Sequence, residues 1–198
     1  MKKVLVFLAD GFEEIEAVTT IDYLRRAGAE VVVAATGSVF SSKTAANPVV
    51  TGAHSLRVVA DMTLDSYLLD AAETLPDAVF APGGMPGASN IASCGKALDL
   101  IRKMNQANKL VTAICAAPAL VLSAAGVLEG RKWTCYPGMK DDAGPYAKTH
   151  KDGPAFITDD NLVTGRGPGA AEQFAMEVVR VLFGDSAAAK IKKGACQR

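Results

Sequence analysis

Four apolar runs in this chain each end in a turn of small residues that leads towards a helix: ADGFEE, APGGMPG, ICAAP and TGRGPG. This grammar constrains the fold more than any other feature. Strands that alternate with helices pair in parallel, because a parallel neighbour needs a long crossover that a helix supplies. KVLVFLA (3–9) and EVVVAAT (30–36) have no polar face, as expected for strands covered on both sides. The expected fold is α/β, a sandwich around a mostly parallel sheet. Its strand ends lie along one edge, where ligands of such sheets bind.

The remaining elements follow from period and punctuation. A helix is expected from Glu13 to Ala27, with Ala17, Val18, Ile21, Leu24 and Gly28 near one face. Residues 49–60 predict two short strands around Gly52. DAVFAPGG (77–84) predicts a strand ending in a glycine turn, 95–107 an amphipathic helix, and KLVTAIC (109–115) a strand. Residues 116–126 predict a helix closed by Gly126, with Pro118 in its first turn. KWTCY (132–136) is expected to be a strand, and 156–158 with 162–164 a hairpin. A final helix is expected over Ala170–Phe183, and 137–154 is expected to be a surface excursion. The whole chain, 1–198, is expected to be a single domain.

Composition excludes several classes. The 21 basic and 21 acidic residues balance, and no basic patch points to nucleic acid or an anionic membrane. No run is long enough to span a bilayer, and the apolar N-terminal run is too short for a signal-peptide core. The four cysteines (Cys94, Cys115, Cys135, Cys196) lack metal or redox-pair spacing. Reduced thiols in a cytoplasmic setting are the expectation. GSVFSSKT (37–44) approaches a phosphate loop, but Ser42 replaces the second glycine.

Cys115 stands where an apolar strand meets small residues, with Ala113 and Ala117 two positions to either side. A nucleophile on a sharp strand-to-helix turn needs small neighbours, because the backbone folds back there. The helix that follows puts its N-terminal dipole beside the sulfur and favours the thiolate. A buried structural cysteine also satisfies this pattern. Glu13, Glu14 and Glu16 suit a helix start through the dipole; one of them could equally face Cys115 across the sheet edge. The APGGMPG turn can supply an N–H to an oxyanion, or its glycines can serve backbone conformation alone.

Taken in order, ADGFEEIE, RRAG, PGGMPGA, AICAAPA and RGPG resemble the ThiJ/PfpI superfamily, and within it the DJ-one branch, over Lys3 to about Ile191. The resemblance implies a flavodoxin-like three-layer sandwich with a nucleophile elbow, and a homodimer with Arg25 and Arg26 near the contact. It implies Cys115 as nucleophile, Glu16 as its protonated carboxyl partner, and an oxyanion site from the backbone of Gly84 and Ala116, with Gly83 beside them. His54 matches an arginine near the cysteine in some relatives, and Tyr136 stands where a histidine often precedes the proline. With Arg166 of RGPG, these two are expected to be pocket residues.

The implied activity is a glyoxalase or deglycase acting on small dicarbonyls such as methylglyoxal, without metal or organic cofactor. The alternative is a non-enzymatic redox sensor or chaperone working through oxidation of Cys115. Ala116 stands where the peptidase-like branch has histidine, and no C-terminal His-x-Glu pair serves an amidotransferase. With Glu16 protonated, the Cys115 thiol is expected well below the free value of about 8.5.

Overall fold

The structure, a computed structural model, describes residues 1–37, 48–71 and 74–197. The phosphate-loop-like stretch, apart from Gly37, lies outside them. A central sheet has the order β5-β2-β1-β6-β7-β9-β8. Its strands are β1 (Lys3–Leu8), β2 (Glu30–Ala35), β5 (Met62–Thr63), β6 (Ala78–Ala81), β7 (Leu110–Ile114), β8 (Phe156–Asp159) and β9 (Leu162–Gly165). All pairs are parallel except β8 with β9. Residues 4–8 of β1 and all of β7 are buried, as covered parallel strands must be.

Helices cover both faces. On one, α1 (Glu14–Arg26) packs against α6 (Ala171–Phe183), and α6 against α7 (Asp185–Gly194). The other carries α3 (Gly87–Ala92), α4 (Gly95–Gln106) and the helical stretch after β7, which ends in α5 (Ser123–Ala125). That stretch holds a π-helical segment, Pro118–Leu122, and Gly126 closes it with φ 73°. A short helix, α2 (Leu64–Asp70), starts from Thr63, whose hydroxyl accepts the Ser66 N–H at 3.1 Å. Outside the sheet, β3 (Val49–Thr51) and β4 (Arg57–Val59) form a small hairpin around Gly52.

Two expectations change, over KWTCY and Val18, while 137–154 is the mostly exposed excursion expected. KWTCY forms no strand; Trp133 makes one isolated bridge with His150, and the Tyr136 N–H is spent on the Cys115 carbonyl at 2.8 Å. The irregular stretch 137–154 contains a 3-10 segment over Lys140–Thr149. On α1, Val18 points outward at 45% exposure, and the buried stripe includes Glu16, Ala17, Thr20, Tyr23 and Leu24.

The sheet order places a switch point between β1 and β6, where successive crossovers leave in opposite directions. The crevice outside the carboxyl ends of strands at such a point receives ligands. The turn after β1 is clamped there: Glu13 N–H donates to the Gly83 carbonyl at 3.0 Å and Gly87 N–H to the Gly11 carbonyl at 3.1 Å. Gly11 has φ 86°, and a Cβ on it would collide with the Pro86 ring.

Candidate active site

Cys115 follows the last residue of β7 and has φ 64°. A non-glycine residue in this left-handed region costs about 1–2 kcal/mol and persists only where its surroundings hold it. They do: its N–H donates to the Gly165 carbonyl at 2.9 Å, and its carbonyl accepts the Tyr136 N–H at 2.8 Å. Ala113 and Ala117 are fully buried beside it. At Gly165, a Cβ would lie 2.7 Å from Ile114 Cγ1 and 2.8 Å from Phe174 Cδ2. Small residues are therefore a packing requirement of the elbow.

The other strand ends supply its chemistry. The backbone N–H groups of Gly84 and Ala116 lie beside the Cys115 sulfur and act to lower the thiol. Gly83 was expected beside them as a further oxyanion donor, but its N–H is committed to Glu16 Oε2 at 2.8 Å. Its role is spatial: a Cβ on Gly83 would lie 2.8 Å from Glu16 Oε2 and 3.0 Å from the sulfur. Gly83→Ala should therefore wedge carboxyl and thiol apart, destabilising the fold by about 1–3 kcal/mol and removing thiol reactivity. A thermal melt and alkylation of Cys115 by iodoacetamide measure both; wild-type reactivity would contradict this placement.

Glu16 is fully buried and within hydrogen-bonding reach of the Cys115 thiol. Burial pushes its carboxyl up to about 7, against the lowering effect of the Gly83 N–H. Among the described residues Oε1 has no hydrogen-bond partner, which suits an oxygen that carries a proton. Burial also pushes the Cys115 thiol up, and an ionised Glu16 adds to this; only the Gly84 and Ala116 N–H groups work downward. The expected thiol well below its free value is therefore not found: burial, the largest cause, raises it whatever the charge on Glu16. The two groups titrate as a pair: like charges keep both from ionising together.

His54 stands at the pocket rim. Its backbone N–H donates to Glu14 Oε1 at 2.7 Å and its Nδ1 lies 2.9 Å from Glu14 Oε2. The Glu14 hydrogen bond, with the charges of Glu13 and Glu14, holds His54 above the ordinary imidazole range. Burial works to raise Glu14, but the hydrogen bonds from His54 and Leu56 prevail and hold it low. Glu13, Glu14 and His54 bring one donor atom each within 4.8 Å of one another, so a divalent cation would find ligands there.

A cavity of about 520 Å³ opens over the thiol, with His54, Gly84, Ala116 and Tyr136 in its walls. Arg166, expected there, lines none of it. Its N–H pairs with the Ala155 carbonyl at 2.9 Å, and its guanidinium donates to the Gly153 carbonyl at 3.0 Å. The cavity instead takes Pro168 from that loop, together with Glu13, Ile15, Met85 and Met139. Of these, Glu13 is one of the three carboxylates weighed from the sequence; Ile15, Met85, Met139 and Pro168 carry no motif that would single them out.

A model of the DJ-1/PfpI family matches residues 2–181. The chain belongs to that family. A DJ-1 homolog A of Arabidopsis thaliana is 36% identical over 96% of this chain and 45% of its own length. The chain thus spans less than half of that relative, and 40% of a second one, homolog B. A protein of Pyrococcus abyssi named as a deglycase is 33% identical over 91% of this chain and 99% of its own. An oxidized DJ-1 of Toxoplasma gondii superposes with a TM-score of 0.87 at 34% identity, over 99% of this chain and 98% of that one. The DJ-1/PfpI membership agrees with the resemblance read from the motifs, and the fold agrees with the flavodoxin-like sandwich.

Proposed function

We propose that this chain is a cofactor-independent enzyme that converts small dicarbonyls such as methylglyoxal into hydroxy acids, or removes early glycation adducts of the same carbonyls, with Cys115 as nucleophile. The observation that carries this reading is the left-handed Cys115 under the N–H groups of Gly84 and Ala116, with a buried, raised carboxyl alongside. The Pyrococcus relative named as a deglycase supports the same class.

The chemistry balances without an external oxidant. The Cys115 thiolate adds to the aldehyde carbon, and the carbonyl electron pair moves onto oxygen, where the Gly84 and Ala116 N–H groups hold it; each such donor is worth roughly 10²–10³ in rate. Protonated Glu16 delivers its proton to that oxygen, giving the hemithioacetal. The resulting carboxylate removes the proton from the former aldehyde carbon and returns it to the neighbouring carbon, while the hydroxyl proton passes from the first oxygen to the second by way of an enediol. One carbon is oxidised to a thioester and its neighbour reduced to an alcohol. Water then cleaves the thioester, releasing lactate and the free thiol. Purified protein given methylglyoxal should form lactate in proportion to enzyme; no formation above a Cys115→Ser control rejects the reading.

A second reading, redox sensing through Cys115, is favoured by the oxidized state named for the Toxoplasma relative. The N–H groups that hold an oxyanion also suit a sulfinate. Mild peroxide should convert Cys115 to sulfinate before Cys94, Cys135 or Cys196. Exposure alone ranks Cys196 first and the buried Cys115 and Cys135 last. Peptide mapping after graded peroxide separates the two orders, and early oxidation of Cys196 would count against a tuned thiol.

The chain is further proposed to act as a cytoplasmic homodimer. Among the described residues no helix is long and apolar enough to cross a membrane. Arg25 and Arg26 are engaged within the chain, with Asp61 at 3.7 Å and Asp22 at 2.6 Å, so they do not by themselves call for a partner. The stronger feature is apolar: Val18 on α1 and Leu56 and Val59 on the hairpin are about half exposed. A twofold contact would bury them on both copies. Sedimentation at micromolar concentration should give a dimer, and Val18→Glu a monomer with an unchanged melt; a wild-type monomer removes the proposal.

A further inference from the structure

The cavity over Cys115 is much larger than the substrate just considered. At about 520 Å³ it falls within the roughly 300–1,000 Å³ typical of sites for drug-sized ligands, and a three-carbon dicarbonyl fills only its floor. Apart from Cys115, Glu13 and His54, its side-chain lining is apolar or aromatic: Ile15, Met85, Tyr136, Met139 and Pro168.

Three of these apolar side chains are half exposed: Ile15 at 56%, Met85 at 53% and Tyr136 at 47%. Large apolar side chains clustered at a cavity mouth mark a surface that becomes covered on binding. Tyr136 is also rigidly referenced to the reacting atom. Its N–H is bonded to the carbonyl of Cys115 itself, and the Met139 N–H to the Tyr136 carbonyl at 3.1 Å. Its ring lies over Gly167, where a Cβ would sit 3.3 Å from Cδ2. A phenol whose backbone is tied to that of the nucleophile, with two flexible thioethers in the same lining, is suited to receive another ring.

We propose that the site prefers α-oxoaldehydes bearing an aryl group over methylglyoxal, and that Tyr136 is the residue that sets this preference. The aldehyde carbon reaches Cys115 while the aryl group covers Tyr136 and Met139. The reaction is the one already described: phenylglyoxal takes up one water and leaves as mandelate. This inference rests on the dicarbonyl reading, and the test separates the two.

Wild-type enzyme is assayed with phenylglyoxal and with methylglyoxal, each against the Cys115→Ser background. The expected result is a kcat/KM at least tenfold higher for phenylglyoxal, expressed mainly in KM. In Tyr136→Ala the ratio of the two kcat/KM values should fall about tenfold, whereas Tyr136→Phe, which keeps the ring, should hold it. If Tyr136→Ala does not fold, the wild-type ratio and Met139→Glu, which puts a charge where the aryl group lies, decide the matter. Turnover of both compounds with methylglyoxal equal or preferred, or a ratio indifferent to Tyr136→Ala, overturns this inference alone. Absence of Cys115-dependent turnover of either compound overturns the dicarbonyl reading and this inference with it.

Discussion

Replacing Cys115 by serine should leave a folded protein whose methylglyoxal turnover is reduced about a thousandfold or more, the scale on which loss of a nucleophile is felt. Serine is nearly the shape of cysteine. It inherits the same φ of 64° and the same two backbone hydrogen bonds, to Gly165 and from Tyr136, so the melting temperature should stay within a few degrees. What it lacks is an anion that the Gly84 and Ala116 N–H groups can stabilise. No histidine stands by to remove a hydroxyl proton: His54 is turned to Glu14, and His150 lies 3.5 Å from the buried Cys135 instead. Lactate formation and a thermal melt on the same sample test this. Wild-type rates in the serine protein would place the chemistry on another residue.

Stability should fall as pH rises from about 4.5 to 7, and Glu16 should be the main cause. Its folded value of about 7 lies above its ordinary 4.5. Between those limits the native state holds a proton that the unfolded chain has released, so raising the pH favours unfolding. At about 1.4 kcal/mol for each pH unit, the loss accumulates to about 3 kcal/mol by neutral pH. The contribution is fully present below pH 4.5 and does not change further from this group above 7. Glu16→Gln, which cannot ionise, should flatten this part of the profile. Urea unfolding at pH 4.5, 5.5 and 7 for both proteins measures the difference; parallel profiles would mean that folding does not raise the Glu16 carboxyl. The same substitution should reduce turnover sharply, because an amide cannot take up the proton that the enediol step requires.

Much of the fold was legible because covered parallel strands are written as unbroken apolar runs: β1, β2, β6 and β7 were all placed by that signal. The elbow was legible from the small residues around Cys115, which the packing at Gly165 now accounts for. What was not legible has physical reasons. Helical periodicity places Val18 near the buried face of α1, but the inward direction of Glu16 moves the stripe and Val18 ends outside. KWTCY has the composition of a strand, yet its burial serves a coil that spends its N–H groups on the elbow and on Thr164. The short α2 and α3 offer too few turns for a period to show, and α7 buries only Ala188 and Ile191. The resemblance puts Gly83 beside the oxyanion donors; the 2.8 Å bond of its N–H to Glu16 and its packing against Cys115 give it a different role.

The way Cys115 is held has a consequence for the making of the protein. Its backbone is fixed by residues 21 and 50 positions further along, Tyr136 and Gly165. A ribosome that has only just released residue 115 has produced an ordinary cysteine, without the turn that presents it. The turn therefore cannot be held in this way until β9 has joined the sheet, and a chain truncated before Gly165 should show Cys115 behaving as an ordinary thiol.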